Sequence, residues 1–210
     1  MKTKLQLIPV FLLLAIGGAF AQDGEVQTVF GGDIKITGYG ALINKFTSFR
    51  GEYANMTGAY GGIYLNHKFL IGISAAATTN NLPVPLEFST DPARLMSYEY
   101  GQVGMINEYV FGSDKAVHFA VSLFTGSGFT IQYERYRDYM DNNYYTPIHR
   151  DENWFLVMEP GAQVEVNLLR WMRLATGVSY RKIFGADAAG TSDSNVSNAA
   201  YNIALKFGKF

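Results

Sequence analysis

Polar and apolar residues alternate through EPGAQVEVNLLRWMRLATGVSYR, residues 159–181. Because the side chains of a β-strand point to opposite faces in turn, a period of two predicts a strand rather than a helix. The tight LRW segment near its middle predicts that the stretch folds back as a hairpin. One face of this hairpin carries two acids and two bases, Glu159, Glu165, Arg173 and Arg181. They are either a binding or catalytic site or the filling of a closed structure.

The same period of two continues along most of the chain. It predicts eight strands, in residues 33–43, 52–66, 69–80, 95–111 and 116–133, in the two arms of the hairpin, and in residues 198–210. Most of these segments reach the roughly 9–11 residues that a tilted strand needs to cross a membrane. No segment shows a helical period of useful length, and no linker divides the chain into domains.

The connections between the predicted strands alternate in length. Residues 66–68, 112–115 and 169–171 are short connections, whereas residues 44–51, 81–94, 134–153 and 185–197 are longer ones. This alternation is typical of an up-and-down meander whose two ends face different compartments.

The alternation alone does not say which face of the sheet is outside. A soluble, lipocalin-like barrel has its apolar residues inside, whereas a membrane barrel turns them to lipid. The polar face of the predicted strands is rich in small residues such as Ala120 and Ser122, which suit a narrow interior. Trp154, Trp171 and Tyr180 stand near segment ends, as in the aromatic girdles of membrane barrels. These features favour a membrane barrel and leave the soluble binder as the alternative.

The chain ends in KFGKF with an aromatic Phe210, and it contains GGIYLNHKFLIG, GSDKAVHF and EPGAQVEVN. In these segments it resembles the small eight-stranded outer-membrane barrels of the OmpA/OmpX type, and more narrowly short uncharacterised Gram-negative barrel proteins. The resemblance covers residues 34–210. It implies an all-β, eight-stranded antiparallel up-and-down transmembrane β-barrel in the outer membrane of a Gram-negative bacterium. It also implies outer-membrane lipids and the outer-membrane assembly machinery as partners, with an envelope protein as a further candidate.

The N-terminus has the form of a secretion signal. Lys2 and Lys4 precede the apolar run 5–20, and Ala19-Phe20-Ala21 predicts cleavage before Gln22. We therefore expect a signal peptide in residues 1–21, a short segment in residues 22–33, the barrel in residues 34–210, and export through the periplasm. A single membrane anchor is the alternative, although the run is short and interrupted.

Composition excludes several functions. Cleavage would remove two of 17 bases and none of 18 acids, which leaves a net charge of −3. This balance does not favour nucleic acid as a partner. The absence of cysteine excludes disulfides and thiol chemistry.

The charged face predicts a lumenal network of ion pairs. Across the tight turn, the residue numbers of two antiparallel partners should add up to 338 or 340. This register sets Glu165 near Arg173 and Glu159 near Arg181. Lys35, Glu108 and His118 are further candidates for this network. A closed barrel has no edge strand for a proline, so Pro160 predicts a β-bulge. Directly opposed Cβ atoms lie about 4.5–5.5 Å apart, which makes pairing easy.

The sequence favours a non-enzymatic protein that needs no cofactor or metal. His67, His118 and His149 do not have metal-ligand spacing. A Ser–His–acid triad can be drawn from His118, Ser122 and a lumenal glutamate, but no nucleophile motif marks the serine. A lipid-modifying enzyme and a narrow channel or transporter therefore remain alternatives to a structural or adhesive protein, or an accessory subunit of an envelope complex.

The third long connection is rich in tyrosine and charge. Tyrosine and arginine are the usual anchors of binding surfaces. The candidates for binding are Tyr136, Arg137, Tyr139, Tyr144 and Tyr145. The alternative is that the flanking strands simply extend beyond the membrane as a polar hairpin.

Overall fold

The alternating segments form long antiparallel strands in a computed structural model, which describes residues 34–134 and 151–210. The strands are β1 (Ile36–Phe49), β2 (Glu52–Leu65), β3 (Phe69–Thr78), β4 (Leu82–Pro83), β5 (Met96–Phe111), β6 (Val117–Glu134), β7 (Asn153–Leu169), β8 (Met172–Tyr180), β9 (Lys182–Phe184) and β10 (Ala199–Gly208). A 3-10 turn spans Leu86–Phe88, and one short helix, α1, spans Asp193–Val196. None of the helices in the described part of the chain is long and apolar enough to cross a membrane.

The strands close into a ring. Each long strand pairs with its neighbours along the chain, β10 pairs with β1, and β3 pairs with β5. The two-residue β4 lies beside the start of β5, and β9 continues the line of β8 along β7. The wall therefore consists of eight antiparallel strands in up-and-down order, as the sequence predicts.

The two ends of the barrel differ. We call the end with the turns after β2, β5 and β7 the inner end, and the opposite end the outer end. The sequence predicts a long outer connection in residues 44–51, which is wrong. β1 instead runs on to Phe49, and only Arg50 and Gly51 form the turn, both with positive φ of 54° and 83°. Asn44 and Lys45 read as loop residues, but Asn44 bonds Thr57 on β2 and Lys45 points into the barrel.

Pro160 does not cause the predicted bulge. Its pairing with Leu123 continues the regular register between β6 and β7. On its other side β7 pairs with β9 up to Met158 and with β8 from Gly161 onward. Pro160 therefore lies where β7 changes partner, a position that tolerates a residue without an N–H. The irregularity in β7 lies between Asn167 and Leu169 instead.

The outer surface of the ring is apolar. Large hydrophobic side chains stand exposed on every long strand of the wall, among them Leu42, Ile63, Ile73, Val103, Val121, Leu156, Val178 and Ile203. Rings pack in pairs near the inner end, such as Trp171 with Phe207, and near the outer end, such as Phe129 with Trp154. Buried charges lie inside the ring. This distribution is the reverse of that in a soluble barrel, so the wall is built to face lipid.

Candidate functional site

The interior of the barrel is filled by two apolar clusters. The outer cluster lies below the long connections and contains Phe49, Met56, Leu82, Tyr98, Tyr100, Phe155, Val157, Ile183 and Val196. The inner cluster contains Tyr39, Tyr60, Tyr64, Leu70, Ile106, Val110 and several alanines. An eight-stranded barrel is just wide enough for its side chains to fill it. Two groups of polar and charged residues accompany these clusters.

The outer ionic group consists of Lys45, Gln102, Glu159 and Ser179. The Lys45 ammonium donates to Glu159 Oε1 at 2.7 Å, and the Gln102 amide donates to Glu159 Oε2 at 2.9 Å. The Ser179 hydroxyl also donates to Oε1, at 2.5 Å. Glu159 is 4% exposed, so its charge is stabilised by these three donors rather than by water.

The inner ionic group consists of Glu108, His118, Glu165, Arg173 and Lys206. Lys206 is fully buried, and its ammonium joins the two carboxylates by donating to Glu108 Oε1 at 2.6 Å and to Glu165 Oε1. The Gln163 amide also reaches both carboxylates, at 2.8 Å and 2.9 Å. The two carboxylates are therefore held together by a shared cation and a shared amide.

His118 and Arg173 occupy the remaining oxygen of Glu165. His118 Nε2 lies 3.0 Å from Glu165 Oε2, and Arg173 Nη1 lies 3.5 Å from the same oxygen. His118 Nδ1 is 3.1 Å from the carbonyl oxygen of Lys115. A neutral imidazole can donate to only one of these two oxygens, and a ring protonated on both nitrogens satisfies both.

The structure places all four predicted lumenal residues inside the barrel and brings together one of the two predicted pairs, Glu165 and Arg173. The residue numbers of paired residues in β7 and β8 add up to 340, so Arg173 stands opposite Asn167. Its side chain reaches Glu165 diagonally. Glu159 does not pair with Arg181 among the described contacts. Arg181 instead donates to the carbonyl oxygens of Ser48 and Val196 at 3.1 Å, and its guanidinium lies 4.6 Å from the centre of the Tyr100 ring.

Sequence reasoning misses the two lysines that matter most to this network. The sequence pattern assigns Lys45 to a connection, and it places Lys206 on the polar face of the last strand without a partner. Lys35, a candidate from the sequence, is exposed, whereas Glu108 and His118 are members of the inner ionic group. If the first predicted strand is extended beyond residue 43 with the same alternation, Lys45 is predicted to point into the barrel.

The structure does not bring His118, Ser122 and a glutamate together as a hydrogen-bonded triad. Both ring nitrogens of His118 face oxygens of Lys115 and Glu165, and neither is hydrogen-bonded to Ser122. Among residues 34–134 and 151–210, no group of three or more His, Asp or Glu side chains is arranged to hold a metal ion. The three buried carboxylates, Glu108, Glu159 and Glu165, each contact other side chains of the interior.

Two connections pack over the outer end of the barrel. The Gln132 amide donates to the Phe88 carbonyl at 2.9 Å and accepts from the Thr90 backbone. The Tyr98 hydroxyl donates to the Ala189 carbonyl at 2.6 Å, which ties residues 185–198 to β5. The Arg50 guanidinium lies 4.9 Å from the centre of the Phe88 ring. These contacts give the described part of the outer end a fixed shape.

The five binding candidates of the third long connection, Tyr136, Arg137, Tyr139, Tyr144 and Tyr145, lie outside the described residues. The predicted signal peptide and the segment 22–33 also lie outside them. These assignments therefore stay predictions.

Three solved structures are similar in fold to this chain. Neisserial surface protein A is similar over 83% of this chain and 97% of its own, with a TM-score of 0.54 and 9% identity. Ail, the attachment invasion locus protein of Yersinia pestis, is similar over 82% of this chain and 97% of its own, with a TM-score of 0.48 and 9% identity. A major outer membrane protein of Thermus thermophilus is similar over 81% of this chain and 98% of its own, with a TM-score of 0.49 and 8% identity.

No model of a known protein family matches the sequence, and no curated protein matches it significantly. The likeness of Neisserial surface protein A is a likeness of fold. It agrees with the closed ring of antiparallel strands described above. The chain has the fold of the small eight-stranded outer-membrane β-barrels, and its wall is that of an outer-membrane protein.

Proposed function

We propose that this protein is a non-enzymatic contact protein of the outer membrane. It acts through its outer end, either as a structural or adhesive protein or as an accessory subunit of an envelope complex. The observation that carries this proposal is the packed outer end, where residues 81–95 and 185–198 are fixed to the barrel by Gln132, Tyr98 and Arg50. A surface of fixed shape loses less conformational entropy on binding than a free loop does.

The filled interior supports contact rather than transport. Two apolar clusters and two ionic groups occupy the space within the wall. An ion crossing this barrel would have to separate buried carboxylates from their ammonium partners, which is costly in a medium of low dielectric. A narrow channel is therefore the second candidate, and a lipid-modifying enzyme the third.

The outer surface of the barrel wall supports two further partners, the outer-membrane lipids and the assembly machinery. The exposed apolar belt supports outer-membrane lipids as its surroundings. The aromatic side chains of β10, Tyr201 and Phe207, support recognition by the outer-membrane assembly machinery, as the resemblance to OmpA/OmpX-type barrels implies.

Crosslinking in the native envelope, followed by detergent pull-down, tests the contact function. We expect the tagged wild-type protein to capture a defined partner, and a variant with Tyr136, Tyr139, Tyr144 and Tyr145 changed to Ser to lose it. Leu86 and Leu95, which are 71% and 70% exposed on the described outer end, provide a second variant, Leu86→Ser/Leu95→Ser. Glu87→Gln, which lies next to Leu86, is the matched control and should capture the partner as the wild type does.

The alternatives have their own readouts. Stepwise conductance in planar bilayers that is lost in Glu165→Gln would establish a channel and overturn the contact function. A difference in lipid A mass spectra between cells with and without the protein would establish an enzyme. Equal capture by the wild type and both outer-end variants would also contradict the proposal.

A further inference from the structure

The inner end of the barrel opens into a cavity of about 650 Å³. It lies between the turn after β5 and the turn after β7, and its lining includes Asp114, Asn167, Leu169, Arg170, Arg173 and Phe210. Cavities that bind small molecules commonly measure about 300–1,000 Å³. The cavity is therefore large enough for a small ligand.

Arg173 brings unused hydrogen-bonding capacity to this cavity. It is 1% exposed, and its guanidinium lies 3.9 Å from the centre of the Phe210 ring. Nη2 donates to the Ser113 carbonyl at a long 3.3 Å, and Nη1 is 3.5 Å from Glu165 Oε2. Nε has no hydrogen-bond partner among the described residues. A buried donor without a partner is unfavourable, so an acceptor supplied by a ligand would be stabilised there.

The other lining residues define the rest of the ligand. Arg170, at the exposed rim, has no ion pair with any described carboxylate, so it can add a second positive charge. Asp114 also lines the cavity and repels an anion, which leaves the two arginines as its binding groups. Leu169 and Phe210 offer apolar contact. The buried Oδ1 atom of Asn167 lacks a donor among the described groups.

We propose that the inner cavity binds an amphipathic oxyanion, with its carboxylate or phosphate on Arg173 and its apolar part against Phe210 and Leu169. Guanidinium groups are the side chains best suited to both oxyanions, because their planar donors match the geometry of the acceptor oxygens. Arg170 strengthens the attraction from the rim, and Asn167 accepts a hydrogen bond from a ligand hydroxyl. The ligand comes either from solution, as a small carboxylate, or from the membrane, as an anionic phospholipid headgroup.

Titration of the ¹⁵N-labelled full chain in maltoside micelles tests this site, because this nonionic detergent carries no oxyanion that would compete. The probes are phenylacetate, inorganic phosphate and dihexanoyl phosphatidylglycerol, with dihexanoyl phosphatidylcholine as the neutral comparison. We expect phenylacetate or phosphatidylglycerol to shift the Arg173 Nε–H resonance and to saturate, and phosphatidylcholine to leave it unchanged. Tighter binding of phosphatidylglycerol identifies a membrane source, and tighter binding of phenylacetate identifies a soluble one.

Three variants separate the site from general charge effects. Arg170→Gln should weaken binding at least threefold, and Arg173→Gln at least tenfold. Lys209→Gln removes an exposed lysine near the end of β10 and should change binding less than twofold. If Arg173→Gln does not fold, as judged by heat-modifiable gel migration, the wild-type Nε–H titration and Arg170→Gln decide the question. A shift that does not saturate, or binding that Arg170→Gln leaves unchanged, would overturn the proposal.

Discussion

Replacing Lys206 by methionine removes the cation that joins Glu108 and Glu165. The methionine fills a similar volume in the inner cluster, so the change is mainly one of charge. In the native protein two carboxylates are matched by two cations, Lys206 and Arg173, with His118 beside them. After the substitution only Arg173, 3.5 Å from Glu165, remains as a permanently charged partner in this group.

The cost follows from the contacts that disappear. Lys206 donates two charge-assisted hydrogen bonds, each worth about 1.5–3 kcal/mol. Breaking a buried ion pair on one side typically costs about 3–5 kcal/mol, because the other charge stays buried without compensation. We therefore expect Lys206→Met to lower the free energy of unfolding by about 3–5 kcal/mol. Adding Glu108→Gln removes the uncompensated charge and should recover about half of the loss.

Reversible urea unfolding in lipid vesicles measures this effect. Tryptophan fluorescence can follow it, because the chain has two tryptophans and both are exposed, Trp154 in β7 and Trp171 in the turn before β8. Lys209→Met, an exposed lysine on the same terminal segment, should change stability by less than about 0.5 kcal/mol. A loss below about 1 kcal/mol for Lys206→Met would refute the reasoning, because partner removal should cost several times more. A double variant no more stable than the single one would refute it as well.

Three further changes test the interior and the wall by the same unfolding assay. Glu159→Gln leaves the Lys45 ammonium without its carboxylate and should cost about 3 kcal/mol; a neutral result would show that the outer ionic group contributes little. Gly126→Ala should cost about 1–3 kcal/mol, because the new Cβ would lie 2.3 Å from the Val103 carbonyl oxygen. Gly38→Ala, with nothing within 4 Å of its Cβ, is the control, and equal losses at both sites would contradict the packing argument. Ile203→Arg on the lipid face should cost about 2–4 kcal/mol, and an unchanged midpoint would mean that this face does not lie in the bilayer.

The fold could be predicted from the sequence because one rule acts on every strand. A period of two assigns each residue to a face, and a single lipid face fixes that assignment around the ring. The prediction failed where local chemistry resembled a loop. Asn44 and Lys45 are polar neighbours, yet Asn44 bonds outward to β2 and Lys45 bonds inward to Glu159, so the strand continues through both.

The partners inside the barrel could not be predicted in the same way. Register between adjacent strands places Glu165 near Arg173, but lumenal side chains reach across the interior to strands that are distant in sequence. Lys45 and Glu159 are 114 residues apart, and Lys206 and Glu108 are 98 residues apart. Such pairs depend on the width of the closed ring, which no local pattern contains.

The central claim is that the apolar face of the wall meets lipid and the charged face meets a filled interior. Quenching of single tryptophans by lipids brominated in the acyl chains tests it most directly. Both native tryptophans are changed to Phe, and one tryptophan is introduced at Ile203, which is exposed on the wall, or at Phe124, which is buried inside it. We predict strong quenching of Ile203→Trp and little quenching of Phe124→Trp. Equal quenching, or stronger quenching at Phe124, would contradict the claim.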